Sequence, residues 1–180
     1  KSYGFSPEAL NYYENTSYLN DLVFALEQQF TRVYHLGPIR DKTHRNYGWG
    51  GDRPSDVGRM GERSIFALLA GGKEIITKIG YWLNEMGLST SFNIKKIIGT
   101  TYQVELERAG SKKPVLLPDM GFGVSQVLPV LVACYYVPWG STLLIEQPEM
   151  HLHPSAQSVL ADMFIEVIQE RKVQLIIESH

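Results

Sequence analysis

The sequence predicts an α/β fold, and three observations carry that prediction. Thr142–Glu146 is a short apolar run that ends abruptly in an acid, Val173–Glu178 is a second apolar run with the same ending, and residues 154–169 between them read as a helix. Strand, helix and strand in that order form a crossover unit whose two strands should lie parallel. A buried parallel strand delivers its last side chain to the carboxyl edge of the sheet, where α/β proteins place their ligands.

Composition agrees with a globular domain. The chain has 180 residues, 44% of them hydrophobic, enough for one good core. No apolar run approaches the length of a bilayer span and no secretory pattern is present, so a membrane partner is not expected. The single cysteine, Cys134, lies in an apolar helical pattern, rules out an internal disulfide and suits a reducing cytoplasm. With a net charge of −2, any nucleic-acid contact must come from a local patch. The chain begins at Lys1 rather than methionine and stops directly after a strand, so it reads as a fragment of a larger protein.

Taken in order, residues 17–30 carry Leu19, Leu22, Val23, Leu26 and Phe30 at helical spacing. Arg32 to Leu36 is a short strand, stopped by Gly37-Pro38. Residues 41–61 form a long polar loop around Tyr47 and Trp49. Arg40, Lys42, Arg45, Arg53, Arg59 and Arg63 in or beside that loop offer phosphate contacts, and the two aromatics offer stacking. A solvated loop pinned by its aromatics is the plainer alternative. Helical patterns run from Gly61 to Leu69 and from Glu74 to Met86, with a break at Gly71-Gly72. Tyr102 to Glu107 alternates strictly, which turns Tyr102, Val104 and Leu106 inward, and residues 114–117 can return as its hairpin partner.

Gly121 and Gly123 precede the next apolar helix. Proline is tolerated in a first helical turn, so Pro129 places the helix start near Ser125 or Gln126 unless it kinks the helix. First-turn N–H groups and the Ser125 hydroxyl would then face a bound anion; a glycine turn before an ordinary core helix is the simpler reading. Glu146 at a strand end suits Mg²⁺, a hard cation satisfied by one or two carboxylates plus phosphate and water. Alternatively, Glu149, His151 and His153 alternate and could gather a transition metal as a metallohydrolase would. His180 after the last strand suits a phosphate contact or a proton shuttle.

Together these segments resemble a known family. LPDMGFGVSQVLP (117–129) resembles the signature motif, LLIEQPEMHLHP (143–154) the Walker B motif and D-loop, and IIESH (176–180) the switch-histidine motif of ABC-type ATPase heads. The likeness is to the recombination, chromosome-maintenance and overcoming-lysogenization-defect branch. LGPIR (36–40) and DVGRMGE (56–62) are similar to further segments of the same group, so the resemblance covers roughly Tyr34 to His180.

The resemblance implies the C-terminal part of such a head: residues 1–116 as its helical and β-hairpin part, and residues 117–180 as the signature, Walker B and switch-histidine part. It implies ATP and Mg²⁺ as ligands and a second copy of the same head as partner. Gly121, Gly123, Ser125 and Gln126 would contact nucleotide in trans, Glu146 would hold the metal, and Gln147, Glu149 and His180 would be catalytic. DNA or RNA and an effector protein are further implied partners, with DNA repair or antiviral defence as output. Two departures matter. The sequence contains no Gly-x-x-x-x-Gly-Lys-Ser/Thr phosphate loop, and Gln147 stands where the group usually has an acid. A glutamine can orient a water but cannot take its proton, so Glu149 as base, slow hydrolysis, or a non-hydrolysing nucleotide-dependent clamp all remain open.

Overall fold

The computed structural model describes residues 17–111 and 113–179 and divides into two compact units, residues 1–33 and 34–180. In the first, α1 (Ser17–Phe30) ends with the Thr31 hydroxyl donating to the Gln28 carbonyl. The second unit holds the two sheets and the remaining helices.

Its centre is α3 (Phe122–Tyr136), a helix that is apolar on all sides. Ten consecutive or nearly consecutive residues are buried, from Val124 to Tyr135. A helix without a polar face must be enclosed, and here it is enclosed by α2 (Ser64–Glu85) and α4 (Pro154–Arg171). Fully burying a side chain such as Leu128 or Leu131 is worth roughly 1.5–3 kcal/mol, so this helix supplies much of the core.

A three-stranded sheet has the order β1 (Val33–Leu36), β6 (Thr142–Glu146), β7 (Gln174–Glu178). β6 and β7 are parallel, in register from Thr142 opposite Gln174 to Glu146 opposite Glu178, as the crossover unit requires. The two look alike in sequence but differ in burial. Leu143 and Ile145 of the central β6 are 1% exposed, whereas Ile176 and Ile177 of the edge strand β7 are 50% and 40% exposed.

A second, antiparallel sheet is built on β4 (Thr101–Glu107). β3 (Ser91–Ile98) pairs along one side of it, setting Phe92 opposite Leu106 and Ile94 opposite Val104. The other side takes β2 (Tyr47–Gly48) near its start and β5 (Pro114–Leu116) near its end. The alternation of β4 was legible, and β5 does return beside it, but the longest partner is β3, which no local pattern in the sequence announced. Residues 93–98 carry polar and apolar side chains without a clean period of two, and most of them are exposed.

The double glycine marks the expected break: Gly72, at φ 77° and ψ −166°, is not helical and separates the two helical parts of α2. One helix differs from expectation. The third helix starts at Phe122, with Pro129 inside it. Gly121, at φ 108°, provides the turn into that helix, so the proline marks an interior position and not the first turn. Gly61 explains how Pro129 is accommodated from outside: a Cβ at Gly61 would lie 2.5 Å from Pro129 Cβ, and its φ is 74°. Only glycine allows the 58–61 turn to approach the helix there.

Candidate active site at the carboxyl edge of β6

Glu146 is the last residue of β6 and is engaged twice. Nε2 of His35, on neighbouring β1, lies 2.5 Å from its Oε1; a carboxylate can only accept, so the ring N–H donates. Arg40 Nη2 donates to the Glu146 backbone carbonyl over 3.0 Å. The other oxygen, Oε2, takes no hydrogen bond among the described residues.

Arg40 is 7% exposed, and its Nε and Nη1 have no hydrogen-bond partner among the described residues. Burial lowers its pKa to about 10, with the negative charge of Glu146 acting in the opposite direction; it is therefore still a cation at neutral pH. A buried guanidinium with two nitrogens lacking a partner is costly, and it stands beside the acid that ends the central strand of the three-stranded sheet.

The chain beyond β6 turns tightly. Gln147 and His151 adopt left-handed backbone conformations, φ 50° and 64°, which non-glycine residues rarely hold unless their surroundings impose it. The Gln147 amide donates to the Glu178 carbonyl over 2.8 Å, which carries the β6–β7 ladder one residue past the strand. Glu149 Oε1 accepts from the Ser179 hydroxyl at 2.7 Å, tying the second acid to the end of β7. His180 lies outside the described residues.

The glycine segment packs against this loop. A Cβ at Gly123 would sit 3.2 Å from the His151 carbonyl, and the Phe122 ring meets the His151 ring edge-on at 5.2 Å between centroids. Gly121 caps the helix with φ 108° and ψ 171°, a conformation that favours glycine, while Phe122, the first residue of the helix, is 69% exposed. The Ser125 hydroxyl donates back to the Gly121 carbonyl at 3.2 Å, inside its own helix. The structure thus brings Gly123 and Phe122 against His151, in the loop that follows Glu146, while a Cβ at Gly121 would meet nothing within 4 Å among the described residues.

The alternating Glu149, His151 and His153 do not converge. Glu149 receives Ser179, His151 packs on Phe122, and His153 Nδ1 accepts from the Ser155 amide at 3.3 Å to cap α4. Among the described residues no group of three or more His, Cys, Asp or Glu side chains could hold a metal ion. The loop cations are also largely engaged. Arg45 makes a bidentate pair with Asp119 at 2.8 and 3.1 Å, Arg53 donates to the Ala70 carbonyl at 3.1 Å, and Arg63 pairs with Asp56.

His35 and Arg40 escaped the sequence reading as site residues. His35 was one polar residue in a short strand, and Arg40 was counted among the loop cations. The available signal was that β1 had to lie beside the acid-bearing strand for its histidine to matter, and a strand order is not written in a local pattern.

Parallel strands with an acid at the carboxyl end of the central one, and a glycine-led helix packed on the loop beyond it, define an α/β domain of the ATPase type. Residues 5–180 match the family model described as "AAA domain, putative AbiEii toxin, Type IV TA system", and the chain belongs to that family. It is accordingly a nucleotide-binding ATPase domain by descent. The comparison with curated proteins found no match. Among the described residues, no helix is long and apolar enough to cross a membrane.

Proposed function

We propose that the chain is the signature, Walker B and D-loop part of an ABC-type head that closes on ATP by pairing with a second copy. The observation that carries this reading is Glu146: a strand-end carboxylate, held on one oxygen by His35, beside a loop in contact with a glycine-led helix start. Such a carboxylate fits Mg²⁺, which keeps waters and substrate phosphates as its remaining ligands and needs no protein cage. Bound there, the ion would neutralise charge on the phosphate oxygens.

The chain's own residues then divide the work. Glu146 would hold the metal. Gly121, Gly123, Ser125 and Gln126 would face the nucleotide of the partner copy, with the first-turn N–H groups of α3 directed at negative charge. Gln147, at the bend, would orient a water, and Glu149, at the other side of the loop, is the carboxylate able to accept its proton. His180 would act beside the phosphate. Nucleotide release would open the pair of heads and pass the change to an effector, and the family's description, which names a toxin and a toxin–antitoxin system, favours a defence output over repair. A nucleic-acid partner would rely on Lys42 and Arg59 more than on Arg45, Arg53 and Arg63, which the fold already uses.

A second reading has one observation in its favour. Gln147 cannot accept a proton, so the head could act as a nucleotide-dependent clamp that barely hydrolyses. Turnover of the native protein separates the two. In the first reading Glu146→Ala abolishes Mg²⁺-dependent hydrolysis that the parent shows; in the second the parent itself shows almost none while still pairing on ATP. Full hydrolysis in Glu146→Ala would overturn both.

A further inference from the structure

We infer that His35 is a positioning residue for the metal-binding carboxylate: it holds Oε1 of Glu146 so that Oε2 is the oxygen presented to the cation. This rests on the nucleotide-site reading above and deepens it. The geometry comes from three separate elements. β1 places His35 next to β6, with Nε2 2.5 Å from Glu146 Oε1. Arg40, in the loop after β1, fixes the Glu146 main chain through its carbonyl at 3.0 Å. Beyond Glu146 the chain leaves through Gln147, whose amide is tied to the Glu178 carbonyl at 2.8 Å. Backbone and side chain of one residue are thus held from both neighbouring strands.

The chemistry follows from what a carboxylate at a strand end otherwise does. Its side-chain torsions are free to rotate, and each productive contact with a cation must first stop that rotation. A donor on one oxygen removes the freedom in advance and leaves a single oxygen for the metal, which suits an ion that takes few protein ligands and keeps its waters. Outer partners of this kind orient ligating groups, and their loss typically weakens metal affinity by 10–100-fold, about the range expected here. His35 is not enclosed, with a side chain 35% exposed, so its removal leaves the core intact. Arg40 is different: it is buried, and among the described residues its Nε and Nη1 have no hydrogen-bond partner, in keeping with a role in holding the edge of the site.

The test uses the native protein with Mn²⁺ as the probe, followed by electron paramagnetic resonance in the presence of ATP, and compares the parent with His35→Ala, His35→Gln and Glu146→Ala. The expected result is a Mn²⁺ half-saturation raised about tenfold or more in His35→Ala, largely restored in His35→Gln, which keeps an N–H donor. ATP affinity measured in chelator, without divalent metal, should stay the same in all His35 variants, as should the melting temperature. Equal Mn²⁺ response in parent and His35→Ala would overturn the inference. So would tighter Mn²⁺ binding in His35→Ala, which would make His35 a competitor for the carboxylate. If Glu146→Ala binds Mn²⁺ as the parent does, the nucleotide-site reading itself fails, and that outcome is distinguishable because it does not depend on position 35.

Discussion

Two polar clusters in this fold have opposite character. On the flank of α3, Trp82 Nε1 donates to the Tyr135 hydroxyl at 2.6 Å, Tyr135 donates to Glu166 Oε1 at 2.5 Å, and Lys78 reaches the same oxygen at 2.7 Å. Each donor has an acceptor. At the carboxyl edge of β6, by contrast, among the described residues Arg40 is buried with two nitrogens lacking a partner and Glu146 has one side-chain oxygen hydrogen-bonded. Satisfied buried networks specify a fold; unsatisfied ones call for another explanation. The first cluster fastens α2, α3 and α4 together, and the second is where we place the chemistry of this chain.

Variants can break or sharpen that contrast. The largest effect is expected at Glu146, where Ala should lower Mg²⁺-dependent turnover of the native protein by orders of magnitude with an unchanged melting temperature. Residues 147 and 149 should respond with opposite signs. Gln147→Glu should raise turnover if the glutamine stands in for a lost base. Glu149→Gln should instead lower it, with ATP-driven pairing preserved, if Glu149 is that base. Steady-state hydrolysis and gel filtration with ATP read both.

On stability, the two clusters should diverge. Glu166→Ala leaves the Tyr135 hydroxyl without its acceptor and Lys78 without its partner, and should cost about 1–3 kcal/mol in a denaturant titration. Arg40→Met removes an incompletely paired buried cation and should leave stability within about 1 kcal/mol of the parent, or raise it, while turnover falls. Destabilisation of Arg40→Met as large as that of Glu166→Ala would remove the distinction between the clusters.

The smallest effect is one of pH. Burial pushes the Glu166 carboxyl up, but hydrogen bonds from Lys78 and Tyr135 and the charge of Lys78 outweigh it, so its pKa lies below the ordinary 4.5. A lowered folded-state pKa stabilises above the unfolded value and is lost as pH falls through the folded one. Stability should therefore decline below about pH 4.5 more steeply in the parent than in Glu166→Gln, by thermal unfolding across that range.

The segments with a clean local period were legible in the sequence. The strand–helix–strand unit from Thr142 to Glu178, the alternation of β4 and the acid at position 146 all follow from spacing that the fold preserves. What could not be read depends on neighbours distant in sequence. β3 lacks a clean alternation, and the close approach of the 58–61 turn to Pro129 depends on position 61 being glycine. His35 meets Glu146 across 111 positions of chain. Local pattern reports what a residue can do, whereas strand order decides which residue it meets.

The central claim is that Glu146 is the carboxylate that holds the metal of a nucleotide site. A crystal of the native protein grown with Mn²⁺ and a non-hydrolysable ATP analogue, with the ion located by its anomalous scattering, tests it most directly. The expected result is a Mn²⁺ peak about 2.1 Å from Glu146 Oε2, bridging to the phosphates, with His35 still on Oε1. A metal held by Glu149, His151 or His153, or nucleotide bound with no metal at Glu146, would contradict it.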